Sequence, residues 1–479
     1  MITPKANMLS KKDIERIHGD SLELLAKVGV QFNSEKALKI MGEAGCEIDR
    51  DKRTAKIPPT LVEKAIEFLP SQFPMAGFDS SKDFVCGDGN LYYTAPGQCP
   101  YIRDLDTRER RPATTEDLIQ SIKLSEELDI IQQWCPMVLP NDVKPEMRGL
   151  RTYQVTFKFN TKNMLGGAEQ IKDVPYIFEM LDVVLGDREK LKDRPVMCLV
   201  INPSSPLKTG GELIDIVLEF TPYMLPIFLQ FLPLAGATSP ITLAGTIIQA
   251  NAEFLGNMTL FQTASPGWPI IWALASGILD MRNGRYAGGP ESALMTFALL
   301  EMSKYYGIPS NSFGSSSSEA NSIGYQNGIE AMFGLLLFGA LGNVDNFWFP
   351  ADMDGFNLMD LANVVLATEP IRQIERFKKG FKLDDEHILL ETMLKLGHDA
   401  SYLKDASTMK YFRSEHLLPD LFPRETYETW EKRNQTEEEL AIVRVKELIA
   451  NHEPKEFSPE AEKEIEKIIA SAEKAYAST

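Results

Sequence analysis

The feature that most constrains the fold is an alternation of short apolar runs with longer helix-forming segments between about residues 90 and 375. The runs are predicted strands, and they lie at 91–94, 134–139, 163–168, 196–201, 226–232, 269–274, 308–313 and 344–349. Helix-length segments follow them near 115–129, 146–159, 172–186, 210–221, 240–264, 290–306, 323–342 and from 357 onward. Continuous apolar strands alternating with helices are typical of a parallel sheet covered by helices.

Eight such units predict an α/β fold, a closed (β/α)₈ barrel of the TIM type, which we assign to residues 76–375. A doubly wound sheet is the alternative, but the phosphate-binding turn expected after its first strand is absent. Residues 1–75 have helical periodicity and predict a helical N-terminal cap that opens on a capping box of Ser10 and Asp13. Residues 376–479 are charged, with apolar residues at helical spacing, and predict a helical C-terminal extension.

Composition excludes several classes of function. Lys and Arg total 50 against 68 Asp and Glu, a formal net charge of −18, which disfavours binding to nucleic acid or anionic membranes. The longest apolar run, about 331–341, is too short to cross a bilayer, and the first residues lack the apolar core of a signal peptide. Five scattered cysteines without a C-x-x-C pair indicate reduced thiols, so we expect a cytoplasmic protein.

No motif in the sequence indicates a metal-binding or nucleotide-binding site. The five histidines are isolated, and no Cys, His or carboxylate spacing suits zinc, so no metal site is expected. The chain also lacks a G-x-S-x-G elbow and a G-x-x-x-x-G-K-[ST] loop.

In a barrel the loops after the strands build the site. These loops include YTAPGQ (93–98), GGAEQ (166–170), NPSS (202–205) and the segment from 313 to 354. Aromatic residues at the end of the eighth strand, followed by acids, suit an organic cation, because ring faces attract positive charge. Consecutive aromatics on a buried strand more often supply core area, and Trp268 and Trp272 are assigned to the core. The candidate substrate-binding residues are Tyr93, Gln98, Phe313, Asn321, Trp348, Phe349, Asp352 and Phe356.

Gln326 and Glu330 are the candidate catalytic residues, in the role of orienting a substrate. A pair of carboxyl groups such as Glu330 and Asp352 leaves a barrel glycosidase or lyase open, which would need a set separation between the two. A non-catalytic protein that binds quaternary ammonium compounds with the same aromatic residues is a further alternative.

Several stretches together resemble the trimethylamine methyltransferase family. They are DLDTRERRPATTEDL (104–118), ANAEFLGNMTLFQTASPGWPI (250–270), DMRNG (280–284), GIPSNSFGSSSS (307–318), IGYQNGIEAMFGLLLFGALGN (323–343), EP (369–370) and TMKYFRSEHLLPDLF (408–422). The resemblance implies a (β/α)₈ barrel that moves a methyl group from an amine to the Co(I) corrinoid, a cobalamin-type cofactor, of a partner protein.

Trimethylamine-specific members of that family carry pyrrolysine, whereas this chain contains only the twenty standard residues. It therefore resembles the non-pyrrolysine branch, which implies quaternary amines such as glycine betaine as substrates. The D-x-H-x-x-G signature of corrinoid-binding proteins is absent, so the corrinoid is expected on a partner protein and not held tightly by this chain. A homo-oligomer is also expected.

Overall fold

A computed structural model describes residues 3–210, 212–313, 316–399, 401–453 and 457–477. Its centre is a closed barrel of eight parallel strands that neighbour one another in chain order. We number them β1 (Tyr92–Thr94), β2 (Gln133–Trp134), β3 (Asn163–Gly166), β4 (Met197–Ile201), β5 (Ile227–Gln230), β6 (Ile270–Ala273), β7 (Ser310–Asn311) and β8 (Asn346–Trp348). β8 pairs with β1 and closes the ring. The predicted (β/α)₈ barrel and all eight predicted strands are confirmed.

A helix follows each strand and packs outside the barrel. The helices span Thr115–Glu126, Arg148–Phe159, Val174–Leu185, Leu213–Glu219, Leu243–Ala264, Gly289–Tyr306, Tyr325–Gly334 and Leu361–Lys378, and the seventh continues as a π-helix over Leu335–Leu341. Trp268 and Trp272 are buried between barrel and helices, where Trp272 stacks on Phe254 with ring centroids 4.0 Å apart. The assignment of both tryptophans to the core is confirmed.

The N-terminal segment contains the expected helices, Lys11–Lys27, Glu35–Glu43 and Pro59–Glu67, and the first begins at the predicted capping box of Ser10 and Asp13. It also contains strands that the helical periodicity did not predict. Val30–Phe32, Glu47–Asp49 and Thr54–Lys56 form a four-stranded sheet with Lys208–Thr209, which lies in the loop after β4. The segment is therefore a mixed layer joined to the barrel by a strand pair rather than a purely helical cap.

Short strands outside the barrel form further small sheets. Phe73–Met75 pairs with Phe84–Cys86, Tyr101–Arg103 lies between Arg110–Pro112 and Leu358–Met359, and Gly277–Asp280 lies between Leu234–Ala235 and Arg285–Ala287. The DLDTRERRP stretch forms one of these hairpins. Arg111 makes two hydrogen bonds to Asp117, of 2.6 and 2.8 Å, and one of 3.0 Å to Asp104, so it fixes the hairpin to the following helix.

The C-terminal extension is helical, over Asp385–Ile388, Leu390–Leu396, Ala406–Glu415, Tyr427–Arg433, Glu437–Asn451 and Pro459–Ala477. The last two helices pack against the barrel through buried Ala441, Val445, Ile465, Ile468 and Ile469. Among the helices described, none is long and apolar enough to span a membrane.

Candidate functional site at the carboxyl end of the barrel

The side chains of β8 alternate between the barrel interior and the surrounding helices, as the period of a strand requires. Phe347 and Phe349 face outward, where both rings lie about 6 Å from the ring of Tyr93, at 6.2 and 6.3 Å. Asn346 and Trp348 face inward. Tyr93 and Phe349 were predicted to contact substrate, but they are 1% and 0% exposed and pack beneath the helices.

A layer of polar side chains fills the barrel below its mouth. Thr94 Oγ1 lies 2.8 Å from both Gln133 Oε1 and Asn346 Oδ1, and Asn311 Nδ2 donates to the same Asn346 oxygen at 2.9 Å. Gln133 Nε2 donates to Asn163 Oδ1, also at 2.9 Å. All five residues are buried. This layer is the floor of any site at the carboxyl end.

Trp348 lies above this floor and begins an aromatic cluster. Its ring meets Phe313 edge to face at 4.6 Å, and the ring of Phe228 lies 6.3 Å away. Phe356 stacks on Phe313 at 4.8 Å with an interplanar angle of 3°, and Tyr286 lies 6.2 Å further on. The stacked pair leaves no space for a cation between its two rings, so a cation could contact only the outer surfaces of the cluster.

Asp352 is buried beside Trp348. Trp348 Nε1 donates to Asp352 Oδ2 at 2.6 Å, the Cys99 thiol lies 3.4 Å from Oδ1, and the Gly97 N–H also donates to this carboxylate. Burial raises the pKa of Asp352 to about 7, although these hydrogen bonds act to lower it. Asp352 therefore orients the indole and the loop after β1, and its carboxyl does not face solvent.

That loop leads to a cleft of about 260 Å³ at the barrel mouth, on the side of β1 to β4. Gln98 is exposed and has a φ of 65°, a left-handed conformation that is uncommon outside glycine. Its N–H donates to Pro136 O at 2.7 Å, which fixes this backbone conformation. The wall is formed by Gln98, Pro136, Leu139, Gly149, Thr152, Tyr153, Met164, Leu165, Gly166, Gly167, Ala168, Glu169, Val200 and Asn202.

The cleft depends on glycine at its floor. A Cβ on Gly166 would lie 2.8 Å from Tyr153 Oη, and a Cβ on Gly167 would lie 3.2 Å from Val200 O. Tyr153 Oη is buried, and no group in the described residues meets hydrogen-bond geometry with it. Partial burial, with the nearby charge of Asp173, raises the pKa of Glu169. The cleft thus combines apolar walls with an acid, a phenol and the Gln98 and Asn202 amides.

The predicted catalytic residues Gln326 and Glu330 lie on the helix after β7 and contact each other rather than the cleft. Glu330 Oε2 accepts hydrogen bonds from Ser318 Oγ at 2.6 Å and from Glu319 N at 2.9 Å, and Gln326 Nε2 donates to Oε1 at 2.9 Å. The side chains of Gln326 and Asn321 are exposed. Glu330 therefore anchors the loop after β7, and nothing in this geometry aims Glu330, Gln326 or Asn321 at the cleft.

Of the residues that line the cleft, Gln98 was predicted to bind substrate, whereas Tyr153, Glu169 and Asn202 were not. The last two lie in strand-end loops that the sequence marked, GGAEQ and NPSS, whereas Tyr153 lies on a helix with no pattern that distinguishes it. Within the described ranges, no three His, Cys, Asp or Glu residues converge as metal ligands.

The architecture is that of the parallel (β/α)₈ barrels, whose sites are built by the loops at the carboxyl ends of the strands. The cleft at that end has the apolar walls and few polar groups that are typical of small-molecule sites. The family described as trimethylamine methyltransferase matches residues 2–477. The chain belongs to this family, as its sequence stretches indicated.

Relatives support that membership over the whole length. A glycine betaine methyltransferase of Desulfitobacterium hafniense is 26% identical over 98% of both chains. A trimethylamine methyltransferase of the same species is 26% identical over 88% of this chain and 84% of that one, and one from Methanosarcina thermophila is 25% identical over 96% of each. The monomethylamine methyltransferase of Methanosarcina barkeri shares the fold, with a TM-score of 0.51, 12% identity and coverage of 95% and 96%.

Proposed function

We propose that this protein transfers a methyl group from a quaternary amine, glycine betaine or a related betaine, to the Co(I) corrinoid of a partner protein. The observation that carries the proposal is the family match combined with the full-length similarity to a glycine betaine methyltransferase. The absence of pyrrolysine from the sequence supports the choice of a quaternary amine over trimethylamine.

The reaction makes modest demands on the protein. A quaternary ammonium loses its methyl group to the corrinoid and leaves as a neutral tertiary amine, so no proton has to be delivered to the leaving nitrogen. What remains is to hold the cation with one methyl group pointing out of the mouth, which is an effect of orientation. The chemistry therefore requires no general acid at the mouth.

The cleft offers polar groups for both ends of a betaine. Glu169, which lines the cleft, supplies a negative charge for the ammonium group. The rings of Phe313 and Phe356 would attract the same charge but are not among the residues that line this cleft. The side-chain amides of Gln98 and Asn202 can donate hydrogen bonds to the substrate carboxylate. Trp348, fixed by Asp352, packs against the Phe313 ring.

The corrinoid supplies the methyl acceptor when the partner protein brings it to the mouth. Gly149, Gly166 and Gly167 line the cleft without a side chain, which leaves space there for the substrate. We also propose a cytoplasmic location, which the five free, buried cysteines support.

A glycosidase or lyase is less well supported. Such enzymes need two carboxyl groups that face a shared substrate, whereas Asp352 is buried against Trp348 and Glu330 is bound to Ser318 and Gln326.

The test is to incubate the purified protein with Co(I)-cobalamin and a panel of glycine betaine, proline betaine, carnitine, choline and trimethylamine. We expect the Co(I) absorption to be lost with at least one betaine and to persist with trimethylamine. Binding of a betaine without loss of the Co(I) spectrum, also when a corrinoid protein is added, would favour the non-catalytic alternative.

A further inference from the structure

The segment from 377 to 433, which we call the C-terminal arm, has secondary structure but no core of its own. Its four α-helices lie between Asp385 and Arg433, and none contains a buried residue. Of the residues described between Ile374 and Ala441, none is buried. Ordering a chain costs conformational entropy, which buried apolar surface normally offsets. The arm lacks that compensation within a single copy.

The arm is rich in exposed apolar side chains. Fourteen large apolar residues in it are between 37% and 83% exposed, among them Leu383, Leu394, Leu403, Met409 and Tyr427. Taking roughly 150–200 Å² for each side chain, they present on the order of 1,000 Å² of surface. This total is comparable to the roughly 800 Å² that each partner contributes to a stable interface.

The arm is attached to the helix after β8 through residues 415–421. Glu369 Oε1, on the helix after β8, accepts the N–H groups of Asp420 at 2.7 Å and Leu421 at 2.8 Å. Arg376 donates to Glu415 O at 2.8 and 3.0 Å. The family stretch 408–422 therefore serves to hold the arm in place and takes no part in the barrel mouth.

We propose that the arm is a self-association surface, on which the arm of a second copy of this chain packs. Charge favours this occupant. The arm contains ten Lys and Arg against eleven Asp and Glu, so it is almost neutral, while the whole chain carries −18. Two strongly acidic copies repel each other over most of their surfaces, and the arm is where they can approach with little repulsion. An isologous contact also buries the same apolar residues of both copies.

The test is sedimentation velocity of the full-length protein at about 10 µM, a concentration at which an interface of this size is occupied. We expect a species at a multiple of the 53.7 kDa chain mass. The variant Leu394→Asp/Leu403→Asp should raise the dissociation constant by about 30-fold or more, since central apolar contacts dominate interfaces. Ile241→Asp is the matched control, because Ile241 is also an exposed aliphatic residue but lies outside the arm, and it should leave the oligomer intact.

Hydrogen exchange of arm amides should be slow in the oligomer and fast in the double variant, whereas the barrel amides stay protected in both. A wild-type protein that sediments at 53.7 kDa would overturn the proposal. So would an oligomer that survives the double variant, or one that Ile241→Asp dissociates.

Discussion

The indole of Trp348 donates a 2.6 Å hydrogen bond from Nε1 to Asp352 Oδ2, and both side chains are buried at the end of β8. The bond joins the aromatic cluster to the loop after β1, because the same carboxylate also holds Cys99 and Gly97. One buried acid thus positions both sides of the barrel mouth.

Trp348→Phe should measure how much that hydrogen bond contributes to the free energy of unfolding. The variant keeps an aromatic ring but leaves a buried carboxylate oxygen without its donor, which costs about 1–3 kcal/mol of unfolding free energy. Asp352→Asn in the same chain should recover part of the loss, and a double-mutant cycle in denaturant measures the coupling. Additive effects of the two changes would contradict the coupling inferred from the structure.

The pH dependence of the unfolding free energy should reflect the titration of the Asp352 carboxyl group. Its pKa of about 7 in the folded protein lies above the unfolded value of about 3.9. Its favourable contribution to stability is therefore complete below about pH 4 and is lost as pH rises from about 4 to about 7. Asp352→Asn should therefore gain stability relative to wild type over that range, by at most about 4 kcal/mol. Asp345→Asn is a control at the opposite end of the barrel, where burial also raises the pKa; it should shift stability in the same sense without changing betaine affinity.

Gln98→Ala should weaken betaine binding with little effect on stability. The side chain is exposed at the cleft, so the unfolding free energy should change by less than about 0.5 kcal/mol. Loss of a hydrogen bond to a charged carboxylate should reduce affinity about tenfold, as measured by calorimetry. Gln326→Ala, at an exposed amide outside the cleft, should leave affinity unchanged, and equal effects of the two substitutions would argue against the cleft as the site.

Gly166→Ala should close the cleft, because the added Cβ would lie 2.8 Å from Tyr153 Oη. We expect reduced betaine affinity and a stability loss of about 1–3 kcal/mol from overpacking. Tyr153→Phe removes the clashing oxygen, so the double variant should regain stability. Gly328→Ala, where nothing lies within 4 Å of the new Cβ, is the control for the substitution itself, and a loss of similar size there would contradict this explanation.

Glu330→Gln tests a positioning role against a catalytic one. Glu330 holds Ser318 and the Glu319 N–H, so the variant should speed hydrogen exchange at residues 316–320 and raise KM several-fold. The pH profile of kcat should keep its shape. If the acidic or basic side of the pH profile of kcat disappeared in the variant, Glu330 would instead act as a general acid or base.

The barrel was predictable because strand and helix periodicities do not depend on distant contacts. Trp348 and Phe349 illustrate where such prediction ends: they are adjacent in sequence and chemically alike, yet strand alternation turns one toward the mouth and the other toward the helices. Tyr153 reaches the cleft from a helix only because Gly166 leaves room for it. The N-terminal segment contributes three strands to its four-stranded sheet, and each has only three residues. Strands this short have no periodicity that a sequence could reveal.

The most direct measurement of the proposed function is the stoichiometry of demethylation. Protein, glycine betaine and Co(I)-cobalamin are incubated together, and dimethylglycine and methylcobalamin are quantified by mass spectrometry. We expect equal amounts of the two products, and no dimethylglycine when the cobalamin is omitted or left oxidised. Dimethylglycine formed without Co(I), or no demethylation of any betaine in its presence, would contradict the proposed function.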